Sequence, residues 1–334
     1  MLTRPIRRAL LAVVVVVVLF GAWFALQVDP VFAGKGREVI VTVHSGDSMA
    51  TIAGALHTQG VIASPFAFRL ENLALGTPLI RAGSYQLRQG SSFATVRAVL
   101  GNLPNVDVVT AAPGLTLHEI AVNLANVKGN TYANAFAAAM TSARTPSPFG
   151  SGKSLEGLIG AGTYIIKPSI TAQELASEMV QRFTSQAASV GLTPTTTANG
   201  LNAYQLVVAA SIVEKEGYYP HNMPKVARVI FNRLARGGPL QMDATVLYYL
   251  GLDGGTVTHA MLQTPTPYNT YLNNGLTPTP ICTVSTIALK AVLHAPPGPW
   301  LYFTVIDKNG DEAFATTFAQ QLKNEQIFAS GGAS

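Results

Sequence analysis

Residues 201–251 read LNAYQLVVAASIVEKEGYYPHNMPKVARVIFNRLARGGPLQMDATVLYYLG and predict an apolar helix with two carboxylates at its end. Asn202 can cap a helix that begins near Ala203, and Gln205 completes a capping box ahead of the apolar run. Gly217 is expected to end the helix in the left-handed conformation, because two aromatic residues and a proline follow it.

The two carboxylates, Glu214 and Glu216, lie where a negative charge is costly. At about 100° per residue, Glu214 shares an arc with Val207 and Ala210, whereas Glu216 points roughly 200° away. A helix that is apolar almost all round is buried, and burial and the negative end of the helix dipole both raise the pKa of a carboxyl. A glutamic acid that keeps its proton near neutral pH can act as a general acid. The alternative at this stage is that both acids pair with Lys215 or later arginines at a frayed helix end.

An uncharged run over residues 9–26 is just long enough, at about 18 residues, to cross a bilayer. Three arginines precede it, which predicts a cytoplasmic tail at residues 1–8, a single-pass membrane anchor at 9–28, and an extracytoplasmic location for the rest. The alternative is a cleaved signal peptide with residues 31–33 (VFA) as its cleavage site. The length of the run and Trp23 near its outer end favour a retained anchor.

Composition excludes several classes of function. The three leading arginines supply three of the five units of formal net charge, so the basic pI gives little support for a nucleic-acid partner. The single cysteine, Cys282, excludes an internal disulfide and a multi-cysteine metal site. The six histidines are scattered and form no HExxH pattern. The sequence therefore predicts no metal and no cofactor.

Residues 36–102 predict a small β-α-α-β unit, with strands over 38–44 and 83–88 and helices over 49–57 and 64–74. The order of elements, and a Gly-Asp turn after the first strand, resemble a LysM-like module, a fold associated with glycans that contain N-acetylglucosamine. A plain spacer is the alternative interpretation. The fold class predicted for the chain is α+β: a membrane anchor, this module, and a mixed α/β catalytic domain over 103–334.

A series of motifs runs along the predicted extracytoplasmic part in a fixed order. They are LEG (155–157), ASIVEKE (210–216), FNRL (231–234), LQMDATV (240–246), TPYNTY (266–271) and GLTPTPI (275–281). The series resembles the MltG/YceG-like family, whose members are membrane-anchored endolytic murein transglycosylases. Such a series is far more specific than any single short motif.

The resemblance implies that Glu214 is the catalytic acid. It would protonate the β-1,4 glycosidic oxygen between N-acetylmuramic acid and N-acetylglucosamine, then take a proton from the muramyl C6 hydroxyl as a 1,6-anhydro ring closes. No water is consumed, so one carboxyl group suffices, whereas a glycoside hydrolase usually needs two. A hydrolytic muramidase is the competing chemistry, with Asp243 or Glu156 as its second carboxylate. A non-catalytic scaffold that binds peptidoglycan is the competing class of function.

Polar and aromatic residues of the same motifs are candidates for substrate binding. The candidates are Gln241, Asp243, Tyr268, Asn269, Tyr271, Arg233 and Glu216. The alternatives are that Gln241 and Asp243 cap a helix, that the aromatic residues anchor a loop, and that Arg233 pairs with one of the two glutamates. The expected partners are peptidoglycan strands, the membrane and a peptidoglycan synthase.

The chain departs from the family pattern at a few positions. Histidines are expected near Glu312 and Gln321, a Pro-Asp pair in place of residues 161–162, and a proline in place of Ala244. These departures bear on substrate positioning and on the level of activity, while Glu214 is retained. A hairpin across residues 309–310 and a final helix over 318–328 are predicted to end the chain.

Overall fold

The computed structural model of the protein describes residues 4–30, 33–150, 154–166, 169–217, 219–307 and 309–329. The start of the predicted tail and two residues of the alternative cleavage site, Val31 and Phe32, lie outside these ranges. The chain divides into two compact units. The first contains Met1–Val108 and Ile165–Lys167, and the second contains Val109–Tyr164 and Pro168–Ser334.

The first unit begins with α1 (Arg4–Val28), which contains the predicted anchor. Its window Leu11–Val28 has a mean hydropathy of 2.6 and is long and apolar enough to cross a membrane. The orientation of this helix in a membrane stays a prediction.

The rest of the first unit has the predicted β-α-α-β order. It consists of β1 (Glu38–Val43), α2 (Met49–Thr58), α3 (Pro65–Leu75), β2 (Gly83–Arg88) and α4 (Phe93–Gly101). Strands β1 and β2 pair antiparallel, with Val41 opposite Tyr85. The helices cover one face of this ribbon and share a core that includes Leu56, Phe68 and Phe93, all fully buried. The predicted order of elements is thus present, while the resemblance to a LysM-like module and glycan binding by it stay predictions.

The second unit is mainly helical. Its helices are α5 (Leu117–Lys128), α6 (Asn130–Ala139), α7 (Ala172–Ser189), α8 (Ala203–Glu216), α9 (Met223–Ala235), α10 (Asp243–Tyr249), α11 (His259–Leu262), α12 (Thr286–Leu293) and α13 (Phe318–Ala329). The remaining strands pair as separate two-stranded ribbons: β3 (Asp107–Ala111) with β4 (Gly162–Ile166), β5 (Thr197–Ala198) with β6 (Leu201–Asn202), and β7 (Tyr302–Val305) with β8 (Glu312–Ala315). The mixed α/β composition and the final hairpin and helix are confirmed.

Helix α8 is the centre of the second unit and packs against α9, α10 and α12. Its predicted limits are confirmed. Asn202 Oδ1 accepts the backbone N–H of Gln205 at 2.9 Å, and Gln205 Oε1 accepts that of Asn202 at 3.0 Å. The residues from Leu206 to Val213 are all buried, so the prediction of a buried apolar helix is also confirmed.

The prediction of a left-handed Gly217 is wrong. This residue has φ −81° and ψ 95°, angles that other residues also adopt. Glycine is needed there for space, because a Cβ atom would lie 2.7 Å from Met223 Cγ and 3.0 Å from the carbonyl oxygen of Val213. The close approach lets α9 begin directly beside the end of α8.

Candidate active site

The two acids at the end of α8 have different surroundings. Glu214 Oε2 accepts the backbone N–H of Ser285 at 2.8 Å. Ser285 is the N-cap of α12, so this carboxylate lies at the positive end of that helix and joins α8 to α12. Between the two acids, Lys215 Nζ donates to Asp253 Oδ1 at 2.6 Å and to the carbonyl oxygen of Gly114 at 3.2 Å.

Glu216 lines a polar pocket of about 410 Å³, which we call the Glu216 pocket. Its Oε1 accepts the backbone N–H of Ala244 at 3.1 Å, in the first turn of α10. Burial raises the pKa of Glu216 to about 7, and the charges of Asp243 and Glu312 push the pKa in the same direction. The hydrogen bond from Ala244 and the charge of Arg233 oppose the rise. Glu216 can therefore exchange a proton near neutral pH.

Four other predicted site residues line the Glu216 pocket: Arg233, Gln241, Asp243 and Tyr271. Tyr271 donates its hydroxyl hydrogen to Asp243 Oδ1 at 2.5 Å. Burial and this hydrogen bond both raise the pKa of Tyr271, so its hydroxyl stays a hydrogen-bond donor. The structure thus brings together residues that α8, α9, the start of α10 and the loop after α11 contribute.

Arg233 fixes the wall of the pocket. Its guanidinium donates to the carbonyl oxygens of Leu301, at 2.6 Å, and Leu240, and it approaches Gln241 Oε1 at 3.5 Å. The predicted ion pair between Arg233 and a glutamate is not among the contacts of the described residues, because carbonyl oxygens take up its donors. Gln241 has φ +52°, which is uncommon for a residue with a side chain, and its N–H donates to the carbonyl oxygen of Thr270.

Asn269 does not fit its predicted role in substrate binding. It is fully buried, and its Nδ2 donates to the carbonyl oxygens of Leu262 and Thr264, each at 2.9 Å. Its Oδ1 accepts the N–H of Tyr271 at 2.9 Å. Because these bonds join Asn269 to the end of α11 and to its own loop, Asn269 shapes the loop, and both polar atoms of its amide already have partners.

Tyr268 lines a different pocket, of about 360 Å³, together with Glu156, Lys215, Tyr248 and Tyr249. We call it the tyrosine pocket. The rings of Tyr268 and Tyr248 have centroids 5.2 Å apart, and Tyr249 stacks on Tyr268 at 6.3 Å. The TPYNTY motif therefore contributes one tyrosine to each pocket.

Glu156 is the acid of the tyrosine pocket and is only 4% exposed. Its two oxygens accept the backbone N–H of Leu117 at 3.1 and 3.2 Å, and Tyr248 donates its hydroxyl hydrogen at 3.3 Å. Burial raises the pKa of Glu156 to about 7. Asp243 and Glu156 are the two candidates for the second carboxylate of a hydrolase. Asp243 lines the same pocket as Glu216, whereas Glu156 lines the tyrosine pocket.

Sequence reasoning missed the part of the Glu216 pocket that β7 and α13 supply. The missed residues are Tyr302, Phe303, Thr304, Phe318, Gln321 and Glu325. Two signals pointed to this region: the closing strand at residues 302–303, a weaker member of the motif series, and the histidines that the family pattern places near positions 312 and 321. Among the residues that the structure describes, no group of three His, Cys, Asp or Glu side chains is placed to hold a metal ion.

Comparisons with known proteins bear on the whole chain. A model of the YceG-like family matches residues 41–327. An endolytic murein transglycosylase of Bacillus subtilis (strain 168) is 27% identical over 319 residues, which cover 90% of this chain and 88% of the relative. One from Streptococcus pneumoniae serotype 2 (strain D39) is 26% identical, and the match covers 91% of this chain but only 61% of that longer relative.

A solved structure agrees with the fold. The 2.6 Å crystal structure of a YceG-like protein from Listeria monocytogenes superposes with a TM-score of 0.58 at 25% sequence identity. The superposition covers 86% of this chain and 99% of the other.

Proposed function

Because this chain belongs to the YceG-like family, we propose that it is an endolytic murein transglycosylase, a lyase that cleaves peptidoglycan strands within their length, with Glu216 as its acid. One observation carries the choice of residue. Glu216 is a carboxyl with a pKa of about 7 in a pocket that holds a second acid, an arginine and a tyrosine hydroxyl. Glu214, which the motif first suggested, uses its carboxylate to hold the start of α12.

The proposed reaction has two steps on one carboxyl group. Protonated Glu216 gives its proton to the oxygen that joins muramyl C1 to O4 of the next N-acetylglucosamine, and the C1–O4 bond breaks with its electron pair on O4. The Glu216 carboxylate then accepts the proton of the muramyl C6 hydroxyl while O6 bonds to C1. The carboxyl ends protonated again, and a 1,6-anhydro end forms without water.

The neighbours of Glu216 have proposed roles that follow from their contacts. The Asp243–Tyr271 pair presents a fixed acceptor and a fixed hydroxyl to the sugar. Gln241 is exposed and can hydrogen-bond an acetamido group. Arg233 carries its charge at the pocket wall, where it can favour the carboxylate form of Glu216 in the second step.

The tyrosine pocket would bind sugars of the glycan strand at a distance from the cleaved bond. Tyr249 is 51% exposed while its ring stacks on Tyr268, so an apolar face is available to a sugar ring. The predicted contact between Tyr268 and substrate belongs here.

The location of the enzyme is also proposed. Helix α1 would anchor the chain in the cell membrane, and the three arginines before its apolar window would keep the amino terminus in the cytoplasm. The module from β1 to β2 would bind glycan or act as a spacer. A synthase that extends the strand is the proposed partner, because the strands would be cut while they are new.

The test uses the full chain in detergent with uncrosslinked glycan strands, and weighs the products by mass spectrometry. The wild type should give anhydro-muramyl ends, and Glu216→Gln should slow cleavage by roughly 10²–10⁴-fold because the proton donor is lost. Glu214→Gln is the matched control. Its amide oxygen can still accept the N–H of Ser285, so activity should stay close to that of the wild type.

Each other outcome points to a stated alternative. An inactive Glu214→Gln beside an active Glu216→Gln would return the role of acid to Glu214. Products that gain the mass of one water would make the enzyme a muramidase, with Asp243 as the second carboxylate. Intact strands that co-sediment with the protein would favour the scaffold.

A further inference from the structure

Large apolar side chains are exposed along α3 and in the segments next to it in the first unit. Between residues 33 and 108, those that the structure describes as exposed are Phe66 (61%), Leu73 (82%), Leu75 (66%), Leu79 (72%) and Leu103 (69%). All five belong to α3 or to the segments that follow α3 and α4. We call these five residues the apolar surface.

The same two helices, α3 and α4, pack against α1. A groove of about 440 Å³ lies between α1 and α3, with Phe20, Phe24 and Val28 on one wall and Leu70 and Leu75 on the other. Within the apolar surface, Leu75 also lines this groove. The surface is therefore continuous with the contact between α3 and the apolar helix.

The spacing of residues on α3 leads to the same conclusion. Phe66, Leu70 and Leu73 stand at positions i, i+4 and i+7, which share one face of a helix. Leu70 lines the groove against α1, so Phe66 and Leu73 lie beside that contact. The face that α3 exposes is thus next to the face it turns to α1.

The contact between α1 and α3 lies at one end of the apolar window of α1. The groove uses residues from Phe20 to Val28, the last part of the apolar window, which at 1.5 Å per residue is roughly the final 12 Å of the helix. A bilayer with a hydrocarbon core of about 30 Å would place these residues between its outer edge and a depth of about 12 Å. Helix α3 then lies in the outermost part of the acyl region, next to the headgroups.

The surface is held firmly, and its border carries arginines beside the groove-lining Glu71. Arg97 donates to Asn72 Oδ1 at 2.5 Å and to the carbonyl oxygen of Gly76 at 2.9 Å, which fixes the end of α3. Arg69 and Arg81 are exposed and follow Phe66 and Leu79 closely in sequence. Arginines at such a border suit the phosphates of lipid headgroups.

We propose that the apolar surface is embedded in the outer headgroup and acyl boundary of the bilayer that α1 spans, so that the first unit lies on the membrane. The occupant is phospholipid, because the surface continues the lipid-exposed side of α1. This inference goes beyond the proposed activity and rests on α1 being a membrane anchor. It would hold the enzyme at one fixed height above the membrane.

The test introduces a cysteine for an environment-sensitive fluorophore into the full chain, which is then reconstituted in phospholipid vesicles. The native Cys282 is fully buried and does not compete for the label. Labels at Leu73→Cys and Leu79→Cys should shift their emission to the blue and should be quenched by lipids brominated near the headgroup. A label at Ala50→Cys, exposed on α2, is the matched control and should be quenched by iodide in the water.

A fourth label, at Val15→Cys within α1, distinguishes the membrane anchor from the proposed contact between the apolar surface and lipid. If Val15 is quenched by brominated lipid while Leu73 and Leu79 respond to iodide like Ala50, the proposal is overturned and the anchor stands. If Val15 also responds to iodide, the anchor and the proposal fail together. Shielding of Leu73 in native membranes but not in pure vesicles would assign the surface to a protein partner and overturn the proposal.

Discussion

Two glutamates two residues apart have different surroundings because the end of α8 points them at different neighbours. Glu214 faces the N-cap of α12, where its side chain accepts the backbone N–H of Ser285. Glu216 shares its pocket with Asp243, and burial together with the negative charges of Asp243 and Glu312 raises the pKa of Glu216. A buried carboxyl near like charges keeps its proton to a higher pH and can then give it away, which favours Glu216 as the proposed acid.

We predict that the rate of strand cleavage falls as the pH rises through about 7. The acid step needs protonated Glu216, and the raised pKa keeps the proton up to about pH 7. Above that pH the rate should drop roughly tenfold per pH unit. Initial rates between pH 5 and 9 measure this fall, which is the alkaline limb of the pH–rate profile. A rate that stays constant to pH 9 would contradict the assignment of Glu216.

Two variants should move the midpoint pH of this alkaline limb in opposite directions. Ala244→Pro removes the N–H that donates to Glu216, and proline is tolerated in the first turn of a helix. Because that hydrogen bond lowers the pKa of Glu216, the pKa and the midpoint pH of the limb should both rise. Glu312→Gln removes a like charge, so both should fall. Shifts of the same sign in both variants would mean that another group sets the limb.

We predict that Glu156→Gln changes how stability depends on pH. Burial raises the folded-state pKa of Glu156 from its ordinary value of 4.5 to about 7. The unfolded chain therefore loses this proton first, and the folded state loses stability from about pH 4.5 to pH 7 and no more above that. At 1.36 kcal/mol per pKa unit the loss is about 3 kcal/mol, and it should be absent in the variant. Unfolding curves that run parallel for the two proteins across pH 5–8 would refute this.

At the scale of elements, helix ends were predictable where a side chain bonds the local backbone. The limits of α8 followed from Asn202 and Gln205, three residues apart, because a capping box is a local interaction. The role of Gly217 was not predictable, since the space it gives to Met223 depends on how α9 packs. The conformation of the TPYNTY loop was not predictable for the same reason. Hydrogen bonds of Asn269 hold this loop so that its two tyrosines reach different pockets.

We predict that Asn202→Ala destabilises the second unit by about 1 kcal/mol, because the α8 cap loses the acceptor for the N–H of Gln205. Asn202→Asp keeps that acceptor and is the matched control. Thermal unfolding of the two variants should therefore differ, with the alanine protein melting lower. Equal melting temperatures would show that the cap adds nothing beyond the buried packing of α8.

At the scale of the molecule, the sequence predicted the order of anchor, module and larger domain better than it predicted the site. Apolar runs and strand patterns extend over many residues and were visible as α1 and the β-α-α-β unit. The site was only half predictable. The motifs named Arg233, Gln241, Asp243 and Tyr271, but the tertiary fold alone brings β7 and α13 to the same pocket.

We predict that a chain starting at residue 33 is released from membranes by washing with alkaline carbonate, whereas the full chain stays bound. Such a wash removes a protein that lies in the membrane surface, but an apolar helix that crosses the bilayer resists it. Both chains should cleave free strands at the same rate, because the Glu216 pocket uses residues of the second unit. A full chain that is also released, and has the mass of a product cut near residue 33, would support the signal-peptide alternative.

The pocket around Glu216 is completed late in the chain. Tyr302 in β7 and Phe318 and Gln321 in α13 form part of its wall, and α13 packs on both strands of the final hairpin. A ribosome makes α8 well before it makes these segments. The nascent polypeptide therefore carries its acid without the surroundings that tune it. Under the proposed function, such a chain gains the power to cut only once β7 and α13 have emerged and folded.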